Sequence, residues 1–300
     1  MQGSSRASTL LGIALIIAAA TCFASLDNTI RYTGALMPVL LILWVRYAVQ
    51  ALMMTGWLAL APGGSFRTRH PRFQIARGAL LLATSAGSFW GVQFMPVAEF
   101  TAINMLTPVL VTLLAGWLLH ERISRVRWML VLGAFAGALV VMRPGSGLFG
   151  WAVLFPLCGA FSYASFQVLT SKLSGLENPT TTHFYTGAIG TLLLLPVVWM
   201  SGLDVAGLLG GAPASTWALL VGIGLLGSVG HLMLIFALGR APASTLMPFL
   251  YLQIAIAALI GWLVFRHLPD HWGWIGMAVI AACGGTSAWL NLRPGQLARQ

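Results

Sequence analysis

Apolar stretches long enough to form membrane-spanning helices recur along the whole 300-residue chain, and few folds can accommodate that pattern. They lie near 9–31, 38–60, 73–94, 97–119, 126–142, 148–170, 181–201, 214–238, 243–265 and 272–290. An α-helix of roughly 20 residues crosses the ~30 Å hydrocarbon layer of a bilayer. The predicted fold class is therefore an all-α membrane protein with ten transmembrane helices and no room for a soluble domain. Composition agrees: 58% of residues are hydrophobic and 7% charged, against roughly a quarter charged in soluble domains. Turn residues separate the stretches, as at Met37-Pro38, Pro62-Gly63-Gly64, Met95-Pro96, Arg143-Pro144-Gly145 and Ala212-Pro213.

The net charge of +10 does not indicate a nucleic-acid partner. Lys172 is the one lysine beside fifteen arginines, and the basic residues sit mainly between apolar stretches, as membrane proteins place them in cytoplasmic loops. With a cytoplasmic N-terminus, the inner segments hold twelve basic residues, including Arg67, Arg69, Arg72, Arg77, Arg122, Arg125 and Arg127. The outer side holds four: Arg31, Arg46, Arg143 and Arg266. Both termini are expected in the cytoplasm. Arg6 and the run from Leu10 to Ala20 resemble the start of a secretory signal, but the apolar character continues to Ile30, which suits a spanning helix. Cys22, Cys158 and Cys283 fall singly within apolar stretches and are expected as small buried packing residues. No metal or cofactor is expected.

The chain also repeats itself. Ala98 to Gly116-Trp117-Leu118 aligns with Ala243 to Gly261-Trp262-Leu263 at a constant offset. Each copy is followed by a glycine-spaced helix, with Gly133 and Gly137 in one and Gly273 and Gly276 in the other. Gly12 and Phe23 match Gly150 and Phe161 more weakly. Two repeats, 9–145 and 148–293, would hold five helices each. An odd number per repeat turns the second upside down, and inverted repeats of this kind set a substrate site near the midplane.

The residues Arg77-Gly78, Met95-Pro96-Val97-Ala98, Thr107-Pro108-Val109, His120-Glu121-Arg122 and Arg143-Pro144-Gly145 resemble the EamA domain of the drug/metabolite transporter superfamily. Arg240-Ala241-Pro242-Ala243, Pro248, Tyr251-Leu252-Gln253, Gly261 and Leu268-Pro269-Asp270 resemble a second copy. The resemblance covers nearly the whole chain and is greatest to bacterial aromatic amino acid exporters. It implies an inner-membrane exporter of small metabolites, and it implies that the third, fourth, sixth, eighth and ninth helices line the substrate path. One departure is that Arg266-His267 stands in the second copy where the first has Glu121.

Polar residues inside spans are costly in hydrocarbon and point to a site. Trp90, Gln93, Asn104, Tyr163, His231, Tyr251 and Gln253 are the candidate substrate-binding residues. Each also has a packing explanation, and His231 in particular could be held by a backbone carbonyl. Asp27, Arg31, Arg46 and Glu99 are expected to form structural charge pairs. His183 is expected at the inner interface. Nucleophile–base pairs and metal motifs are lacking inside the spans, and the group His267, Asp270, His271 reads as a solvated turn, so no catalytic residues are assigned and an enzyme is not expected. The expected partners are an amino acid substrate, aromatic or otherwise apolar, and membrane lipid, with the protein a monomer. The mid-span groups that titrate near neutral pH are histidines, which suggests movement down the substrate's own gradient.

Overall fold

The computed structural model describes residues 2–94, 104, 106–118, 124–142, 151–266 and 270–292. Among these, ten helices have twelve or more residues. The first five are α1 (Gln2–Thr33), α2 (Val39–Leu60), α3 (Pro71–Phe94), α4 (Thr107–Leu118) and α5 (Arg125–Met142). The others are α6 (Leu154–Leu173), α7 (Pro179–Met200), α8 (Ala214–Leu238), α9 (Leu252–Phe265) and α10 (His271–Leu292). Proline punctuates the order, since its missing N–H and fixed φ suit a helix start. Pro71 and Pro179 open α3 and α7, while Pro38 and Pro213 stand just before α2 and α8. At the start of α7 the Asn178 side chain accepts a 2.9 Å hydrogen bond from the Thr180 N–H.

Four helices are long and apolar enough to cross a membrane by length and composition: Ala7–Thr33 of α1, then α2, α7 and α8. That falls short of the ten expected crossings. α3 shows why: its 24 residues include Gln74, Arg77, Thr84, Ser85 and Ser88, which lower its apolar character. The expected continuous stretch 243–265 is also divided. A short helix Ala243–Leu246 runs into a 3-10 turn, Met247–Tyr251, before α9 begins. Pro248 has no N–H to continue an α-helical ladder through that point. The Met95-Pro96 and Arg143-Pro144-Gly145 breaks lie outside the described residues.

Helix pairing follows a simple rule. α1 packs on α8 and α6 packs on α3; α1 packs on α9 and α6 on α4. α2 packs on α8 and α7 on α3, while α2 meets α7 and α5 meets α10. Replacing every helix by the one five places along returns the same set of pairs. A duplicated unit related by a two-fold exchange accounts for that. The main apolar core runs through α1, α2, α3, α4, α6 and α8, with Ile16, Leu41, Leu43, Leu220 and Ile223 fully buried. The cysteines depart from expectation: Cys158 is exposed and Cys22 and Cys283 are half-buried, because their faces of α6, α1 and α10 are not wholly covered by other helices.

α2 and α7 approach closely enough for one glycine to matter. A Cβ at Gly187 would lie 2.9 Å from the backbone nitrogen of Ala51, an atom that cannot swing aside. Overpacking of this kind costs about 1–3 kcal/mol. Gly187→Ala is therefore expected to lower the melting temperature of the purified protein in detergent, and an unchanged melting curve would show that the α2–α7 contact is looser than described.

Candidate substrate site

Helices from both repeats bring four rings together. Phe23 of α1, Tyr163 and Phe166 of α6, and His231 of α8 form the group. The His231 ring lies 4.6 Å from Phe23, 5.9 Å from Phe166 and 6.4 Å from Tyr163, each edge-on, and Tyr163 stacks on Phe166 at 5.9 Å. His231 Nδ1 is 2.7 Å from the carbonyl oxygen of Gly227, one turn back. A carbonyl only accepts, so Nδ1 carries a proton, and in the neutral ring Nε2 presents a bare lone pair. That Nε2 is buried with no hydrogen-bond partner among the described residues. An unfilled acceptor framed by aromatic faces suits a flat ligand that can donate one hydrogen bond.

Beside this group lies Arg46 of α2, only 3% exposed. Its Nη1 donates to Ser85 Oγ of α3 at 2.9 Å, and the guanidinium stands 4.9 Å from the Tyr47 ring centre. Tyr47 also shares a 2.9 Å hydrogen bond with Ser85. A Cβ at Gly227 would come within 2.7 Å of Arg46 Nε, so the bare glycine lets the cation pass against α8. Asp27 acts electrostatically on both Arg46 and Tyr163, yet forms an ion pair with neither Arg46 nor Arg31. Its carboxylate instead accepts a 3.1 Å hydrogen bond from Gln253 Nε2, which ties α1 to α9. Arg31 lies over the Phe265 ring at 4.9 Å. Glu99 lies outside the described residues.

A second polar layer was not legible as such. Arg77 of α3, counted among the inner-loop arginines by sequence, is fully buried. Its Nε donates to Thr170 at 2.7 Å, and its Nη1 donates to the Thr182 carbonyl at 3.0 Å and to Thr186 at 2.9 Å. Its Nη2 has no partner among the described residues, and the guanidinium lies 4.6 Å from the Phe166 ring. His183, expected at the interface, is also fully buried, because the neighbouring helices α2 and α8 offer it polar partners. Its Nε2 pairs with Ser228 Oγ at 2.8 Å, while Gln50 Nε2 lies 3.3 Å from its Nδ1 and 3.1 Å from its carbonyl oxygen. Gln167 of α6 is buried with both amide atoms unpartnered among the described residues. A helical spacing could have revealed part of this layer: Gln74, Arg77, Leu81, Ser85 and Ser88 follow at intervals of three or four, as do Thr182, Thr186 and Gly190.

The sequence candidates thus divide. Tyr163 and His231 meet. Asn104 faces Gly159 of α6, and its Oδ1 has no partner among the described residues. Trp90 is 41% exposed on α3, and the side chain of Gln93 lies outside the described residues. Gln253 is engaged with Asp27. Tyr251 stands in a separate cluster with Ala134, Ile254 and Cys283, against α5 and α10.

At one end of the bundle the α2–α3 connection docks on the α6–α7 connection through Glu177. Its Oε1 accepts from Thr68 Oγ1 (2.8 Å), the Arg69 and His70 N–H groups (2.8 Å each) and His70 Nδ1 (3.0 Å). Burial pushes the Glu177 carboxyl up, but the bonds from Thr68, His70 and Arg69 outweigh it and hold the group below its usual range. It is therefore an anion throughout the neutral range.

Two packed repeats around a polar and aromatic interior suit a membrane carrier. The chain belongs to the EamA-like transporter family, whose profile matches residues 10–143 and again 150–284. It is 27% identical over 275 residues to a riboflavin transporter of Vibrio cholerae, covering 90% of each chain. It is 24% identical over 269 residues to an S-adenosylmethionine uptake transporter of Rickettsia felis, covering 87% of this chain and 86% of that one. A solved crystal structure with 18% identity superposes at a TM-score of 0.75 over 95% of this chain and 97% of the other, which shows the shared fold.

Arg77 provides a test of what the buried polar layer is for. Each of its partners is satisfied without it: Thr170 donates to the Phe166 carbonyl, and Thr186 to the Thr182 carbonyl. Replacing a buried cation by an apolar side chain of similar length is often neutral or stabilising when no partner is stranded. Arg77→Met is expected to keep or raise the melting temperature while transport falls about tenfold or more. A melting temperature several degrees lower would assign Arg77 to folding instead.

Proposed function

We propose that this chain carries a small metabolite with a planar ring across the bacterial inner membrane, by alternating access between two inverted repeats. In this reading the chain crosses the bilayer ten times, keeps both termini in the cytoplasm, acts as a monomer and catalyses no reaction. The observation that carries the proposal is the group Phe23, Tyr163, Phe166 and His231, drawn from both repeats, with the free His231 acceptor among its rings. In this reading Asn104, Trp90 and Gln253 border the same path, while Tyr251 sits apart against α5 and α10. Asp27 and Arg46 act as nearby charges across it.

Riboflavin is the first candidate. Its flat tricyclic ring suits the aromatic faces, and its ring imide can donate to His231 Nε2. The relatives named for riboflavin and S-adenosylmethionine both handle ring-bearing molecules, and so would the aromatic amino acid exporter suggested by resemblance. Direction follows the substrate gradient: His231 donates its proton to its own helix, an arrangement that suits orientation more than proton exchange.

Proteoliposomes holding the pure protein provide the test. Saturable movement of riboflavin is expected, with S-adenosylmethionine, tryptophan and phenylalanine as competing arms. Tyr163→Ala and Phe166→Ala should each lower transport about tenfold, and Tyr163→Phe should retain most of it. If none of the four ring-bearing compounds moves, the substrate class is wrong.

A further inference from the structure

The Glu177 contact belongs to a longer seam. Thr181 Oγ1 donates to the Ser65 carbonyl at 2.6 Å, and Tyr185 OH donates to the Phe66 carbonyl at 3.0 Å. Deeper in, Gln74 Nε2 donates to Thr182 Oγ1 at 3.1 Å, and then come the bonds of Arg77. Every one of these bonds joins residues 65–77 of the first repeat to residues 170–186 of the second. They run from a surface connection inward to fully buried side chains.

The other end of the bundle is built differently. The turn before α2, Thr33-Gly34-Ala35-Leu36-Met37-Pro38, follows the same helix–turn–helix course as Leu173-Ser174-Gly175-Leu176-Glu177-Asn178 before α7, with the same turn bonds to the Thr33 and Leu173 carbonyls. Met37 stands in the place of Glu177 and is buried in the apolar core. There the α7–α8 connection packs by apolar contact, with Val205, Leu208, Leu209 and Ala212 against the core that includes Met37. So one repeat carries a carboxylate clasp where the other carries a buried methionine.

We infer that Glu177, held by Thr68 and His70, is a positioning residue for transport: it clasps one end of the substrate path shut, and releases it when the repeats rock apart. The inference rests on the alternating-access reading, though not on the identity of the substrate. A polar seam is well suited to reversible closure. When it parts, water enters and replaces each lost hydrogen bond, so opening exchanges bonds rather than stranding them. An apolar seam has no such replacement and must expose hydrocarbon. The single Oε1 that collects four donors makes the closed state specific, because removing that one atom releases four donors of the α2–α3 connection at once.

The test uses the full-length protein in proteoliposomes, with Cys22, Cys158 and Cys283 replaced by alanine. A reporter cysteine at the buried position 167 (Gln167→Cys), behind the seam, is labelled with a membrane-impermeant maleimide; a second reporter, Leu41→Cys, sits in the core near the opposite end. Glu177→Ala is expected to speed labelling at position 167 about tenfold, with Glu177→Gln intermediate and Thr68→Ala smaller in the same direction. Labelling at position 41 should stay unchanged or fall. Unchanged labelling at position 167 in both Glu177→Ala and Thr68→Ala would overturn the clasp. So would an equal rise at both reporters, which signifies general loosening. The readout needs no substrate, so failure of the clasp and failure of the transported-ring proposal are separable: the first appears in labelling, the second in flux.

Discussion

Everything in this bundle depends on how it satisfies polar groups that lipid cannot. A guanidinium in hydrocarbon has no water to bond, and an unpaired one is among the most expensive groups a membrane helix can carry. Arg46 and Arg77 are both buried, and neither forms an ion pair among the described residues. Each is held by hydroxyls, a carbonyl or an aromatic face contributed by neighbouring helices. Arg77 joins α3 to α6 and α7, and Arg46 joins α2 to α3 while pressing on α8 at Gly227. The polar groups thus dictate which helices must meet, and the apolar core fills the space around those meetings.

That division explains what could be read from the residues alone. Membrane residence, all-helical character and duplication follow from the length and spacing of apolar runs, which is information local to each helix. The aligned Gly116-Trp117 and Gly261-Trp262 pairs pointed to two repeats, and the helix pairing obeys the corresponding exchange. Tyr163 and His231, conspicuous as deep polar aromatic residues against leucine and alanine, meet in the ring group. Tyr251 looked the same by that criterion and lies elsewhere, since depth along a helix says nothing about which face is turned inward.

The polar layer around Arg77 and His183 was hidden for a different reason. Both residues lie near the starts of their helices, where basic residues and histidines ordinarily reach water or headgroups. Only the packing of α2, α6, α7 and α8 around them takes that water away. His183 finds Gln50 on one side and Ser228 on the other, so what looked like an interfacial group became part of the interior. Arg46 and Asp27 show the same limit in reverse. Opposite charges on neighbouring helices suggested a lock, yet Asp27 turns to Gln253 and Arg46 to Ser85. Charge sign alone does not choose a partner when a neutral hydrogen-bonding group is closer.

Duplication makes the remaining asymmetries informative. A gene copied onto itself begins with equal halves, so any place where the halves now differ in chemistry reflects separate adjustment. The helix pairs are interchangeable between the repeats, which is the part that packing geometry holds constant. The end connections are not: the Glu177 carboxylate is clasped by hydrogen bonds, while Met37 at the matching position of the other turn is buried in the apolar core. The ring group is also unequal, since α6 supplies Tyr163 and Phe166 while α1 supplies Phe23. A bundle with identical ends would hold its two closed states at the same free energy. In the proposed alternating-access reading, unequal ends bias that equilibrium, and the bias is carried by a few residues at the connections rather than by the helices, which can then keep the shared packing on which one repeat would rock against the other.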